Sequence, residues 1–140
     1  MSTDSLTQLT EFVREKLINT AGNNYSIPVY LETIPPKANK DFILVEGDIT
    51  DYNSQMLNCS EWDIQIKTQS NISKNQSKDY SVYCLGIFGD ITDYTLTLNG
   101  INIRIVKSKA YAPLLYIGEA KNGFFQYSNR FRMLIQNLGI

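Results

Sequence analysis

The stretch that decides the fold is Leu96–Gln136, LTLNGINIRIVKSKAYAPLLYIGEAKNGFFQYSNRFRMLIQ. It contains two Asn-Gly pairs, Asn99-Gly100 and Asn122-Gly123, each with β-forming residues on both sides. Asn and Gly tolerate the positive φ angles of a type I′ turn, whose twist matches that of two paired antiparallel strands. The stretch therefore predicts a β-meander of about four strands, with a hairpin at each Asn-Gly pair.

Apolar and polar residues alternate along this meander, which is typical of a sheet with one buried and one wet face. Pro113 is expected to separate the first hairpin from a strand over Leu114–Ala120, because proline cannot donate to a strand ladder. The last strand, Phe125–Gln136, is about twelve residues long. The predicted buried face carries Ile101, Ile103, Ile105, Phe125, Tyr127, Phe131, Met133 and Ile135.

The first half of the chain predicts a helix followed by three strands. The helix covers about Ser5–Ala21, where apolar residues recur at steps of three and four, with Ser5 as its cap and Gly22 as a left-handed stop. The strands are a short piece at Pro28–Leu31, an apolar run at Phe42–Glu46 that suits burial on both faces, and the alternating Glu61–Gln69.

A second amphipathic helix is predicted over about Lys78–Thr92, capped by Ser77 or Asp79. Gly86 and Gly89 are unusual inside a helix, so either they allow close contact with the sheet or the helix ends near Gly89. Two polar segments are predicted to be loops, Gly47–Asn58 and Asn71–Lys78.

These elements predict one α+β domain over residues 1–140. Its antiparallel or mixed sheet ends in a C-terminal meander, and the two amphipathic helices pack on one face. Cys59 and Cys84 are expected to be buried free thiols, because two cysteines at this spacing form neither a disulfide framework nor a zinc site.

Composition restricts the function. Thirteen basic and fourteen acidic residues give a formal charge of −1, which predicts no electrostatic footprint for tight nucleic-acid binding. No apolar run approaches the ~20 residues of a membrane span, and the polar N-terminus does not resemble a secretory signal, so a cytoplasmic protein is expected.

The sequence predicts no catalytic, cofactor-binding or metal-binding residues, and hence no enzyme. It has no histidine, which excludes Ser-His-Asp and Cys-His nucleophiles and removes the commonest general base and metal ligand. It also lacks a glycine-rich phosphate loop. The pairs Asp48/Asp51 and Asp90/Asp93 are interpreted as solvated loop residues rather than as a cation site or a glycosidase pair.

The basic residues leave two interpretations open. Arg130 and Arg132 share one face of a strand, and Arg104 is expected beside them on a neighbouring strand. They form either a polar outer sheet face or an interface to acidic neighbours or a channel lining. The residues predicted to make interface contacts are Arg104, Arg130, Arg132, Lys74 and Lys78.

The order of elements resembles the small tail-terminator proteins of long-tailed bacteriophages, also described as minor capsid or tail-completion proteins. The resemblance spans nearly the full chain and depends on element order and local patterns rather than on a catalytic signature. The segments that carry it are the opening helix Leu6–Leu17, the Pro-bounded strand region Ile27–Pro36, the strands Phe42–Val45 and Trp62–Lys67, the helix Tyr80–Phe88, the hairpin Leu98-Asn99-Gly100 leading to Ile103–Val106, and Gly118–Ala120 before Phe125–Phe131.

This resemblance implies a virion protein of the tail or neck, assembled in the host cytoplasm, that forms a homo-hexameric ring on the head-proximal end of the tail tube. Its partners would be the tail tube protein and the head–tail connector or stopper protein, with DNA only as passing cargo and no membrane. Two alternatives stay open: another neck or tail component, such as a head-completion or tube protein, and a monomeric, non-enzymatic binding module.

Overall fold

The computed structural model describes residues 3–34, 41–51, 59–98, 100–119 and 124–139. They form an α+β fold with a six-stranded mixed sheet in the order β1-β2-β3-β6-β5-β4. Its strands are β1 (Val29–Leu31), β2 (Phe42–Asp51), β3 (Cys59–Ser70), β4 (Asp90–Leu98), β5 (Ile101–Glu119) and β6 (Phe125–Gly139). Only β1 and β2 are parallel, and every other neighbouring pair is antiparallel. This architecture confirms the predicted fold class, including the C-terminal meander.

The helices cover one face of the sheet and bury its apolar side chains. They are α1 (Thr3–Leu17), a π-helical turn (Ile18–Gly22), α2 (Asn23–Tyr25) and α3 (Lys74–Phe88). Trp62, Ile64 and Ile66 of β3 are fully buried beneath them, as the alternating pattern predicted. Each such side chain contributes roughly 1.5–3 kcal/mol through its removal from water. The core also contains Val13, Leu17, Cys84, Phe88, Ile103, Ile105, Phe131, Met133 and Ile135.

The first helix differs from the prediction at both ends. It begins at Thr3, so Ser5 lies inside the helix rather than at its cap. Gly22 is not a left-handed stop, because its φ of −58° is right-handed and the helical path continues to Tyr25. The left-handed residue is Ser26, with φ 56°. Gly22 is needed for close packing instead, since a Cβ there would lie 3.2 Å from the Leu17 carbonyl oxygen.

The second helix begins earlier and ends earlier than Lys78–Thr92. Ser73 is its N-cap, and its Oγ accepts a hydrogen bond from the Gln76 N–H at 3.1 Å. The prediction of a polar loop over Asn71–Lys78 is therefore wrong from Lys74 onwards. The helix ends at Phe88, which confirms an end near Gly89, and the residues from Asp90 pair with β5 as strand β4. The Ser73 cap explains why the helix begins before Lys78. Pairing with β5 explains why the residues from Asp90 form a strand, although their apolar spacing also suits a helix.

Strand β5 continues through Pro113, so the predicted break there is wrong. The meander consequently has three strands, β4 to β6, rather than about four. Register shifts between Ala110 and Leu115 bend β5 in this region. Proline is tolerated because β4 pairs with β5 only as far as Lys109, and an edge strand does not need every N–H.

Two other boundaries also move. Strand β2 runs to Asp51, so the predicted loop is wrong for Gly47–Asp51, and 52–58 lie outside the described residues. Strand β6 has 15 residues rather than about twelve. The first predicted hairpin is present, because Leu98 pairs with Ile101 and Gly100 has φ 80°. Asn99 and the second turn, Asn122-Gly123, lie outside the described residues.

Candidate assembly surface

The sheet face opposite the helices is open and holds the three predicted interface arginines. Arg104 lies on β5, while Arg130 and Arg132 lie on β6, and all three point away from the apolar core because buried neighbours alternate with them. Lys74 and Lys78 belong to α3, on the other side of the sheet. The structure therefore brings the arginines onto one face and separates them from the two lysines.

Each of these arginines is paired with an acid on a neighbouring strand. Arg104 Nε lies 2.5 Å from Asp93 Oδ1. Arg130 Nη1 lies 3.8 Å from Asp63 Oδ2, and Arg132 Nε lies 3.5 Å from Glu61 Oε1. Exposed pairs such as those of Arg104 and Arg132 are worth only about 0–1 kcal/mol, so a partner can exchange them at little cost. The pair of Arg130 differs, because the Asp63 side chain is only 17% exposed. This arrangement fits the interpretation as a polar outer face, and a contact between these arginines and a partner stays a prediction.

Tyr111 connects the outer part of β5 to the centre of the open face. Its hydroxyl donates to Asp63 Oδ2 at 2.5 Å, and the Arg132 guanidinium lies 4.5 Å from its ring centroid. Gln65 donates from Nε2 to Ser128 Oγ at 2.9 Å between β3 and β6. Sequence reasoning did not single out Tyr111, because its contacts depend on the strand order.

Two recesses on the open face differ in the net charge of the side chains that line them. An open groove of about 590 Å³ towards β5 is lined by Glu61, Lys107, Lys109, Ala110, Tyr111, Arg132 and Leu134, which include three cations and one acid. A smaller hollow of about 150 Å³ towards β2 is lined by Glu32, Glu46, Gly47, Asp63, Gln65 and Arg130, which include three acids and one cation. The groove lining is therefore net basic and the hollow lining net acidic, although Glu46 of the hollow is ion-paired with Lys67 Nζ at 3.4 Å.

Besides the outer edges of β1 and β4, which end the sheet, two segments of inner strands have an uncovered edge within the part of the chain that the structure describes. Strand β1 pairs with β2 only up to Val45, which leaves Glu46–Asp51 without an outer neighbour; this segment is named the β2 corner. Strand β4 covers β5 only from Ile101 to Lys109, which leaves 110–119 without a strand neighbour on that side; this segment is named the β5 corner. Its first residue, Ala110, still donates its N–H to the Gly89 carbonyl at 3.4 Å. The register across β3 and β6 places the two corners at diagonally opposite ends of the sheet.

The β5 corner exposes large apolar side chains. Tyr111, Leu115, Tyr116 and Ile117 are between 37% and 55% exposed. Lys74 of α3 reaches this corner, with Nζ 4.2 Å from the centroid of the Tyr116 ring. An exposed sheet edge with apolar residues is a template for pairing with another chain, so this corner is suited to a protein contact.

A buried side chain sets the bend of the β5 corner. Leu114 has φ 51°, which is unfavourable for a residue with a Cβ. Its N–H donates to Asn129 Oδ1 at 2.7 Å, and Asn129 Nδ2 donates to the Ser81 carbonyl at 2.8 Å. Asn129 thus ties the bend to both β6 and α3. Nothing in the local pattern around Asn129 indicates this role, which depends on contacts with distant residues.

The β2 corner begins at an acidic side chain that occupies its edge. Glu32 follows β1 with φ 64°, and its N–H donates to the Val45 carbonyl at 2.8 Å. Its Oε1 accepts from the Gly47 N–H at 3.2 Å. Glu32 therefore occupies the first uncovered donor of β2 and adds a negative charge to a segment whose own sequence contains Glu46, Asp48 and Asp51.

The remaining candidate groups are structural. Cys59 and Cys84 are free and buried, as predicted, and burial raises the pKa of the Cys84 thiol to about 12.

Across the described ranges, no group of three or more Cys, Asp or Glu is arranged to hold a metal ion. Among the helices described, none combines the length and the apolar character needed to cross a membrane.

Comparison with known proteins gives similarity at the level of the fold. No protein-family model matches the chain, and no curated protein matches it. One solved structure, of a protein known by a sequence identifier alone, is similar over 100% of this chain and 98% of its own, with a TM-score of 0.52 and 11% sequence identity. At this identity the likeness shows a shared fold and no function.

Proposed function

We propose that this chain is a structural virion protein, a tail terminator that assembles into a ring, caps the tail tube and joins it to the head connector. The observation that carries the proposal is the pair of uncovered sheet corners at diagonally opposite ends of the sheet. Two different patches on one chain support heterologous contacts, and such contacts form rings when the rotation between subunits closes.

The exposed chemistry of the chain also supports a role in assembly. Uncovered strands present N–H and C=O groups to a neighbour, and Leu115 and Ile117 add apolar area beside them. The order of helices and strands resembles that of the tail-terminator proteins. The proposed partners are further copies in a hexamer, the tail tube protein and the connector or stopper protein, with DNA passing through the lumen.

Native mass measurement over a range of concentrations tests the proposal together with electron microscopy of phage lacking this protein. We expect a closed ring of six subunits, and tails of uncontrolled length or detached from heads. Long open-ended tubes of the pure protein would replace the proposal with a tube protein. A monomer at every concentration, with normal tails in its absence, would overturn it in favour of a binding module.

Reversal of an arginine on the open face tests its predicted place in the ring. Arg132→Glu is expected to weaken ring assembly, because a cation facing the neighbouring subunit becomes an anion. The matched control is Arg132→Glu combined with Glu61→Arg, which restores the ion pair between β3 and β6 in reverse. Assembly should stay weak in the double variant. Full recovery there, or normal rings with Arg132→Glu alone, would show that Arg132 acts only within its own chain.

A further inference from the structure

We infer that the open groove between β5 and β6 binds an extended segment of a partner protein that carries two acidic side chains and one apolar side chain at alternate positions. The groove, whose lining includes Lys107, Lys109, Tyr111, Arg132 and Leu134, is named the β5–β6 groove. The inference deepens the proposed function, on which it rests for the place of this partner as a neighbour in the assembly. Binding there uses side chains on the face of the sheet rather than strand edges.

One wall of the β5–β6 groove is fixed before a partner binds. The Arg132 guanidinium lies 4.5 Å from the centroid of the Tyr111 ring, and Arg132 Nε lies 3.5 Å from Glu61 Oε1. The Tyr111 hydroxyl donates to Asp63 Oδ2. Because these side chains already have partners, binding costs little of their conformational freedom. An apolar group of the partner can therefore pack against Tyr111 and Leu134 in a preformed site.

The other wall presents two cations to a ligand. Lys107 and Lys109 are exposed, and neither forms an ion pair with a side chain that the structure describes. Glu61, the acid in the lining of the groove, is ion-paired with Arg132. The lysines therefore remain as the charges that a carboxylate from outside can meet.

The strand register determines the charge beside each lysine. Lys107 lies between Thr92 on β4 and Leu134 on β6, and neither of these residues is charged. Lys109 lies between an acid on β4, Asp90, and the arginine of the fixed wall on β6. An incoming carboxylate thus has no neighbouring acid to compete with at Lys107 and one at Lys109. Lys107 is consequently the main charged contact.

The spacing of the lysines selects an extended ligand. Lys107 and Lys109 are two residues apart along β5, which corresponds to about 7 Å of strand at ~3.4 Å per residue. Alternate side chains on one face of an extended segment have the same separation. Tyr111 follows two positions further along, so the third alternate side chain of the segment meets an aromatic ring rather than a charge.

A protein segment fits the β5–β6 groove better than a nucleic acid does. Two exposed lysines neutralise only about two phosphates, whereas nucleic-acid affinity at physiological salt depends on many such contacts. The formal charge of −1 supplies no wider attraction to a polyanion. A peptide instead combines two carboxylate contacts with burial of an apolar side chain against Tyr111 and Leu134.

Titration of the full chain into a fluorescently labelled peptide tests the inference by anisotropy. The probes are peptides containing Glu-Thr-Glu-Thr-Leu or its reverse, Leu-Thr-Glu-Thr-Glu, which cover both chain directions. We expect saturable binding of one of them that weakens with added salt, because the lysines are exposed. Lys107→Gln combined with Lys109→Gln should weaken binding by about tenfold.

The matched control is Lys74→Gln combined with Lys78→Gln, which removes the same charge from α3 on the other side of the sheet. It should bind the peptide like the wild type, and circular dichroism checks that both variants are folded. Equal losses in the two variants would show a general charge effect and overturn the inference. Equally tight binding of a peptide with its two glutamates adjacent, or tighter binding of a single-stranded oligonucleotide, would also overturn it.

Failure of the inference is distinguishable from failure of the proposed function. A wild type that forms closed rings but binds neither peptide would overturn the β5–β6 groove as a partner site and leave the proposed function standing. A chain that binds the peptide but stays monomeric at every concentration would overturn the proposed function alone.

Discussion

Asn129 shows how one side chain controls the shape of the uncovered edge. Its amide accepts from Leu114 N–H on β5 and donates to the Ser81 carbonyl on α3. Asn129 itself is fully buried, so neither partner group can easily turn to water instead. The left-handed backbone of Leu114 is maintained by this contact, and with it the course of the β5 corner.

Asn129→Ala should therefore lower the free energy of unfolding by about 1–3 kcal/mol, because it leaves buried polar groups without partners. Urea denaturation measures the change. Gln136→Ala is the control, since Gln136 is a half-buried polar residue of the same strand whose side chain accepts from Arg104 on the open face. It should change stability by less than about 0.5 kcal/mol. Equal losses in the two variants would contradict the role of Asn129.

Two buried acids of α3 make stability sensitive to high pH. Burial raises the pKa of Tyr80, whose hydroxyl donates to Asp41 Oδ2 at 2.8 Å, to about 12. Burial likewise raises the pKa of Cys84 to about 12. Both groups are thus held neutral in the folded protein, while in the unfolded chain Tyr80 ionises near its ordinary pKa of 10.0 and Cys84 near its ordinary pKa of 9.0.

The contribution of these groups is complete below about pH 9 and is lost as pH rises towards about 12. The free energy of unfolding should fall across this interval, as measured by urea denaturation at fixed ionic strength. The double variant Tyr80→Phe, Cys84→Ala should show a shallower fall. An equally steep fall in that variant would place the alkaline sensitivity elsewhere.

At the level of elements, the two glycines of the α3 region have opposite environments. Gly86 is exposed, and a Cβ there would meet nothing within 4 Å, so it does not serve close packing on the sheet. A Cβ on Gly89, the C-cap, would lie 2.6 Å from the Leu85 carbonyl oxygen. Glycine is therefore dispensable inside the helix and required at its end.

Gly86→Ala should stabilise the protein by roughly 0.5–1 kcal/mol, because alanine restricts the unfolded chain and favours helix. Gly89→Ala should destabilise it, because the helix end must shift to relieve the contact. Thermal unfolding of the two variants provides the comparison, each serving as the other's control. A gain in stability from both substitutions would show that the end of α3 accepts a side chain.

Across the whole molecule, β3 and β6 form the centre of the sheet and have strand partners on both sides. β1 and β4 lie at its two edges, with the uncovered corners beside them. Local opening costs least where backbone hydrogen bonds are exposed, so stability should decrease from the centre towards the corners.

Amide hydrogen exchange should show the slowest exchange in β3 and β6 of the dissociated protein. On assembly, protection should increase in Glu46–Asp51 and in 110–119, because the uncovered groups acquire partners. The exposed part of α1 around Glu11 and Glu15 provides an internal reference and should change little. Protection gained only in the helices would indicate a different assembly surface.

The sequence by itself determined the local character of most elements. The Asn99-Gly100 hairpin, the buried alternation of Trp62, Ile64 and Ile66, and the α+β class follow from turn chemistry and side-chain periodicity, which act over a few residues. Ser73 is of a residue type that commonly caps helices, but the apolar stripe of α3 favoured a start near Lys78.

Only the tertiary structure decided which strands are neighbours and where the edges remain open. The passage of β5 through Pro113, the bend fixed by Asn129 and the pairing of Arg132 with Glu61 all depend on residues far apart in the chain. The same holds for the two corners, since their exposure reflects how far β1 and β4 extend along their partners. Strand pairing is a non-local choice set by packing and register, and no local pattern encodes it.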